Sequence, residues 1–161
     1  MAHFAELDWQ GNVKRVVVVD NNIPTANGIL GENDGHIDGE VWCQQFFKGG
    51  IWKQCSYNNS FRANFPSEGY KYDKTNDVFY EEQPFESWSL DSNWRWQPPI
   101  EQPDLTYEVD GQTRYYTPLW HEASQKWYCQ KDPEQNLELY LYNENDGSLT
   151  LQTQTWEEIN A

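Results

Sequence analysis

The sequence predicts a mainly β protein: an N-terminal α+β module with one short helix, followed by Trp-rich β-hairpins and a small antiparallel C-terminal sheet. Three observations lead there. Aromatic residues beside acidic ones recur at turn-like spacing, in Tyr72-Asp73…Phe79, Trp88-Ser89-Leu90-Asp91…Trp96, Trp120-His121-Glu122…Trp127 and Tyr142-Asn143-Glu144…Leu149, and each reads as strand, polar turn and second strand. Nine Trp, ten Tyr and seven Phe stand against one Met, so the interior must be built from rings, which suit strands, and not from long aliphatic helical faces. Helical periodicity shows in one segment, residues 40–47, where Trp42, Cys43, Phe46 and Phe47 share a stripe and Gly49-Gly50 supplies a stop.

In chain order, His3-Phe4-Ala5-Glu6-Leu7, the turn Asp8-Trp9-Gln10-Gly11-Asn12 and the run Val13 to Val19 predict a hairpin. The stretch Val16-Val17-Val18-Val19 is apolar on both faces, which places the second strand centrally in its sheet or under a partner. Residues 20–39, rich in Asn, Asp and Gly, predict a long exposed loop. The helix at 40–47 then packs on the sheet of the first hairpin, and 51–57 returns as a strand. Tyr70-Lys71-Tyr72-Asp73 and Val78-Phe79-Tyr80 form a hairpin around Lys74-Thr75-Asn76-Asp77. Pro84, Pro98, Pro99 and Pro103 separate the Trp hairpin at 88–96 from its neighbours, since each proline removes a ladder donor. Beyond them lie a hairpin turning at Asp110-Gly111, the Trp120–Trp127 unit, and strands flanking Asn145-Asp146-Gly147. The expected organisation is an α+β module at 1–80, a Pro-separated Trp hairpin and linker at 81–104, and an antiparallel β module at 105–161.

Twenty-six acidic side chains against eleven Lys and Arg leave a formal charge of −15, which argues against nucleic acid and anionic membrane as partners. Cys43, Cys55 and Cys129 lack CxxC spacing and an even count, and are expected to be reduced core residues. No basic and apolar leader opens the chain, so no signal peptide is expected. The pairs Glu81-Glu82 and Glu157-Glu158 are expected to point to opposite faces of strands, as a solvated surface. His3, His36 and His121 are far apart and in no metal-binding spacing. Asn33-Asp34-Gly35 and Asp38-Gly39-Glu40 resemble pieces of a calcium loop without its alternating acidic ligands, and Gly28-Ile29-Leu30-Gly31 lacks the basic residue of a phosphate loop. No catalytic residue, cofactor or metal ligand is therefore assigned, and the expected protein is not an enzyme.

The candidate binding residues are Trp88, Trp94, Trp96, Trp120 and Trp127. Their rings can be displayed to a protein partner, stack on the apolar side of a pyranose, or pin hairpins together across strands at roughly 0.2–1 kcal/mol per pair.

Trp42-Cys43-Gln44…Phe47…Gly49-Gly50…Trp52-Lys53-Gln54…Ser56-Tyr57-Asn58…Phe61-Arg62…Asn64, then Gly69-Tyr70…Tyr72-Asp73…Asp77…Phe79, resembles a family of short proteins of marine and cyanobacterial tailed phages. The opening strands and Pro84-Phe85-Glu86-Ser87-Trp88-Ser89-Leu90-Asp91…Trp94…Trp96 extend the resemblance over about residues 3–98. The resemblance implies a virion context and supplies no catalytic residues. The expectation that follows is a virion structural protein, foremost a capsid decoration or cement protein that binds a repeated site on the shell in many copies. A tail- or fibre-associated subunit is the alternative within that class, and a carbohydrate-binding module using exposed Trp rings is the alternative outside it.

Overall fold

The computed structural model describes residues 1–31, 37–131 and 138–161. The fold is mainly β, as expected, in small antiparallel sheets with two helices. Contacts divide the chain into two units, one of Met1–Gln83 with Leu90–Trp96, the other of Pro84–Ser89 with Gln97–Ala161. The stretch at 81–104 is thus shared between the two units.

In the first unit, β1 (Ala2–Leu7) pairs antiparallel with β2 (Val13–Val19) on one side and with β5 (Ile51–Cys55) on the other. The sheet order is β2-β1-β5, so the valine-rich strand lies at an edge and not at the centre. Most of its apolar run has another cause, because each face of the sheet carries a core, although Val18 is 56% exposed. Val17 and Val19 join Phe4, Leu30, Cys43 and Trp52 in one core. Val13 and Val16 join Ala5, Leu7, Cys55 and Phe79 in the other. A strand with both faces covered needs apolar side chains at successive positions wherever it lies in the sheet.

Helix α1 (Ile37–Phe46) begins earlier than residue 40 and covers the first of these cores. It contains Gly39, a residue the sequence reads as a breaker, because a Cβ there would run into the Phe4 ring and Leu30. The second core is closed by Phe65, Tyr70 and the hairpin of β6 (Lys71–Asp73) and β7 (Val78–Tyr80). The segment at 20–39 is only partly the open loop expected: β3 (Pro24–Thr25) and β4 (Gly28–Ile29) pair, and Leu30 is buried. Asn33-Asp34-Gly35 and His36 lie outside the described residues.

The Trp hairpin is the ribbon of β8 (Ser89–Leu90) and β9 (Trp96–Gln97). In the second unit, β10 (Thr106–Val109) and β11 (Gln112–Tyr115) turn at Asp110 and Gly111, both with positive φ (50° and 75°), as a two-residue hairpin demands. Strands β12 (Thr117–His121), β13 (Lys126–Gln130), β14 (Leu139–Tyr142) and β15 (Leu149–Leu151) form a four-stranded meander, so the last two expected hairpins are one sheet. Helix α2 (Trp156–Ile159) follows, its Thr155 hydroxyl accepting from the Glu158 amide and Glu158 reaching back to the Thr155 amide. Glu157 and Glu158 therefore lie on a helix, and Glu81 and Glu82 on a non-strand segment, which corrects the strand assignment of both pairs.

Candidate binding surfaces

The first hairpin turn is held rigidly by one carboxylate. Asp8 accepts from the amides of Gln10 and Asn12, both at 2.8 Å, and from the Asn12 side chain at 2.9 Å. Hydrogen bonding from Asn12 keeps this carboxyl below the usual Asp range, so it stays ionised and the turn stays closed. On the tip stands Trp9, 84% exposed. A groove of about 450 Å³ runs beside it, lined by Leu7, Ile51, Lys53, Tyr72 and Lys74. A smaller hollow of about 240 Å³ continues from Ile51 and Lys53 to Ile37 and Val41 of α1, one helical turn apart. Ile37 is 72% exposed and Ile51 48%. The result is a run of open apolar side chains on a strand, a helix and a clamped turn of one unit.

Beneath this face lies an ionic knot. Glu40 accepts from Arg62 at 2.9 Å and from the Gln54 amide at 2.9 Å, with Lys53 at 3.6 Å. Arg62 donates to the Gln54 carbonyl at 2.8 Å and to Asp77 at 2.8 Å, and Tyr72 donates a short hydrogen bond to Asp77. Burial opposes ionisation of Asp77, but the Tyr72 hydroxyl and Arg62 hold it below the usual range. Glu40 and Arg62 are only 12% and 13% exposed, so their pair positions α1, β5 and the β6–β7 hairpin, while Asp77 is held at the open side of the knot.

In the second unit, Trp88, Trp120 and Trp127 pack on each other with centroids 5.1–6.3 Å apart and planes inclined at 59–75°. The Trp120 indole donates to Glu122 at 2.7 Å, and Glu122 also receives the Ser87 amide and hydroxyl. The Trp127 indole donates to the Ile100 carbonyl at 2.8 Å. Trp156 of α2 stacks at an angle on Tyr128 and edge-on to His121. A cavity of about 430 Å³ opens among Phe85, Trp88, Trp120, Trp127, Trp156 and Pro118.

The five tryptophans singled out from sequence thus divide. Trp120 and Trp127, 4% and 3% exposed, are interior residues of the second unit, and Trp88 is half-buried above them. Trp94 and Trp96 are half-buried in the first unit, both beside Tyr80, with the Trp96 indole donating to the Glu81 carbonyl at 2.8 Å and Asn64 holding the Trp94 carbonyl at 3.0 Å. Trp120 and Trp127 face each other across β12 and β13, the cross-strand pinning that the sequence offered as one role. Trp9 is the most exposed ring among the described residues, ahead of Tyr57, Tyr115 and Phe46, and its signal was available in the sequence: a large apolar residue between Asp8 and Gly11 in a tight turn has no interior to enter.

All three cysteines are free and buried, as expected. Burial pushes the Cys43 and Cys55 thiols up to about 12 and that of Cys129 up to about 11, far from a reactive thiolate. Among the described residues no group of three or more His, Cys, Asp or Glu is placed to hold a metal ion, and no helix is long and apolar enough to cross a membrane. No family model matches the chain, and neither a curated protein nor a solved structure matches it.

Proposed function

We propose that this chain is a virion structural protein, a capsid decoration protein that seats on a repeated shell site through its first unit. The virion context rests on the resemblance of residues 3–98 to phage proteins. The physical support is the exposed run of Trp9, Ile51, Val41 and Ile37 on clamped elements, which is what a preorganised contact patch requires. Charge is partitioned in the same sense. The first unit holds 13 acidic and 8 basic side chains, a net −5, while the second holds 13 and 3, a net −10. The less charged unit loses less on meeting a surface, and the strongly acidic one is the better solvated of the two. Many copies on a symmetric lattice turn weak single contacts into firm attachment.

A glycan-binding role would call for exposed, coplanar indoles. The Trp88, Trp120 and Trp127 planes are inclined at 59–75°, which suits packing and enclosure better than a flat sugar platform. Quantifying the protein in purified particles and locating its density tests the proposal. A copy number matching the major shell protein is expected; a few copies at the tail vertex would favour the tail-associated alternative, and absence from particles would overturn a virion role.

A further inference from the structure

The cavity of the second unit combines two properties that restrict what can occupy it. Its walls are aromatic, with Phe85, Trp88 and Trp156 half-buried and therefore reachable, and Trp120 and Trp127 behind them. The reachable Phe85 and Trp88 rings are tilted at 42° with centroids 5.5 Å apart, and Trp120 and Trp127 lie behind Trp88 at 75° and 59° to it, so the lining offers no single plane. Its polar lining residues, Gln102 and Asn160, are uncharged, and no charged side chain lines it. A sugar would find two amides for its many hydroxyls, whereas a cation with an apolar envelope needs none.

The surroundings add electrostatic selection. The unit carries 13 acidic against 3 basic side chains, and Glu86, Glu157 and Glu158 neighbour the wall residues Phe85 and Trp156 in sequence. Glu122 bonds the Trp120 indole N–H at 2.7 Å, an anionic acceptor that enriches the ring in electron density. Hydrogen bonds from Trp120 and Ser87 hold the Glu122 carboxyl below the usual range, so that charge persists at neutral pH.

We propose that this pocket binds a methylated ammonium group, carried by a free quaternary amine or by a modified lysine side chain, through cation–π contact with Trp88, Trp156 and Phe85. The site does not depend on the virion assignment, and it stands if the chain never enters a particle.

Titration of the full chain with choline, with its uncharged isostere 3,3-dimethyl-1-butanol, with methyl glucoside and with a short trimethyllysine peptide, followed by Trp fluorescence and calorimetry, tests it. Choline or the peptide is expected to bind at least about tenfold more tightly than the isostere, a difference of about 1.4 kcal/mol. Preference for the peptide would identify a protein side chain as the source, and equal affinity a free amine. Trp156→Ala should weaken binding about tenfold, and Trp156→Phe, which keeps a ring beside Tyr128 and His121, should recover part of it with the chain folded by its far-ultraviolet spectrum. Equal affinity for the isostere, preference for the glucoside, or no response to either cation at 50 mM (about 2 kcal/mol weaker than millimolar binding by the same scale) would each overturn the proposal.

Discussion

Glu40 shows at single-residue scale how this protein spends its buried charge. One carboxylate closes an amide of β5, a guanidinium and an ammonium. Glu40→Ala would leave Arg62, 13% exposed, with Asp77 as its remaining anion and the Gln54 amide without its acceptor, at a cost of about 1–3 kcal/mol; urea unfolding with an unchanged slope and a lower midpoint is the expected record. The cysteines give a chemical counterpart. With Cys43 and Cys55 pushed up to about 12, an aromatic disulfide reagent at pH 8 should leave the native chain unlabelled and titrate all three thiols in denaturant. Labelling of the native chain faster than its unfolding would contradict the burial described. Acid sensitivity follows from the carboxylates. Glu6, opposed by burial but bonded by Lys14 and Arg15, and Asp77, bonded by Tyr72 and Arg62, both lie below their ordinary values of 4.5 and 3.8. A depressed native value contributes stability above the unfolded value that disappears as protons bind, so stability should be flat from pH 7 to about 5 and fall as pH drops through 4.5 and below. A transition midpoint insensitive to pH over that lower range would refute it.

Among the elements, helix α1 depends on a residue that sequence reasoning treats as unfavourable. Gly39→Ala gains helix propensity of about 1 kcal/mol but drives a methyl into the Phe4 ring at about 1–3 kcal/mol, so a net loss of up to about 2 kcal/mol is expected from thermal or urea unfolding; a stabilised variant would show that α1 does not sit so close to the sheet. Hairpins were legible in the sequence because their turns carry the chemistry: Asp110-Gly111, Asn145-Asp146-Gly147 and Asp8-to-Asn12 each mark a β-turn the structure contains. Strand order was not legible. Val13 and Val16 reach one core and Val17 and Val19 the other, and an edge strand that serves two cores has the same composition as a central one. The α2 helix was legible and missed, since Thr155 followed three residues later by Glu158 is a capping box ahead of an aromatic turn. The roles of Trp120 and Trp127 were not, because alternation of rings along a strand reads the same whether they face a core or a partner.

At the scale of the whole molecule, the chain uses rings where larger proteins use aliphatic layers, and the composition of each unit says what must stay together. The second unit takes Phe85, Ser87 and Trp88 from a stretch preceding Pro98, and Ser87 and Trp88 bind Glu122, Trp120 and Trp127. A fragment of residues 105–161 should therefore lack the near-ultraviolet signature of a packed indole cluster, whereas one of residues 84–161 should retain it; identical spectra would show the early segment to be dispensable. The first unit carries the open apolar face, and its most exposed ring rises from a turn fixed by Asp8. The measurement that bears most directly on the central claim is occupancy of purified shells by the wild-type chain and by Trp9→Ser. Loss of a contact anchor predicts at least about 30-fold weaker attachment, roughly 2 kcal/mol, with the unfolding midpoint unchanged. Full occupancy by Trp9→Ser would contradict attachment through this face.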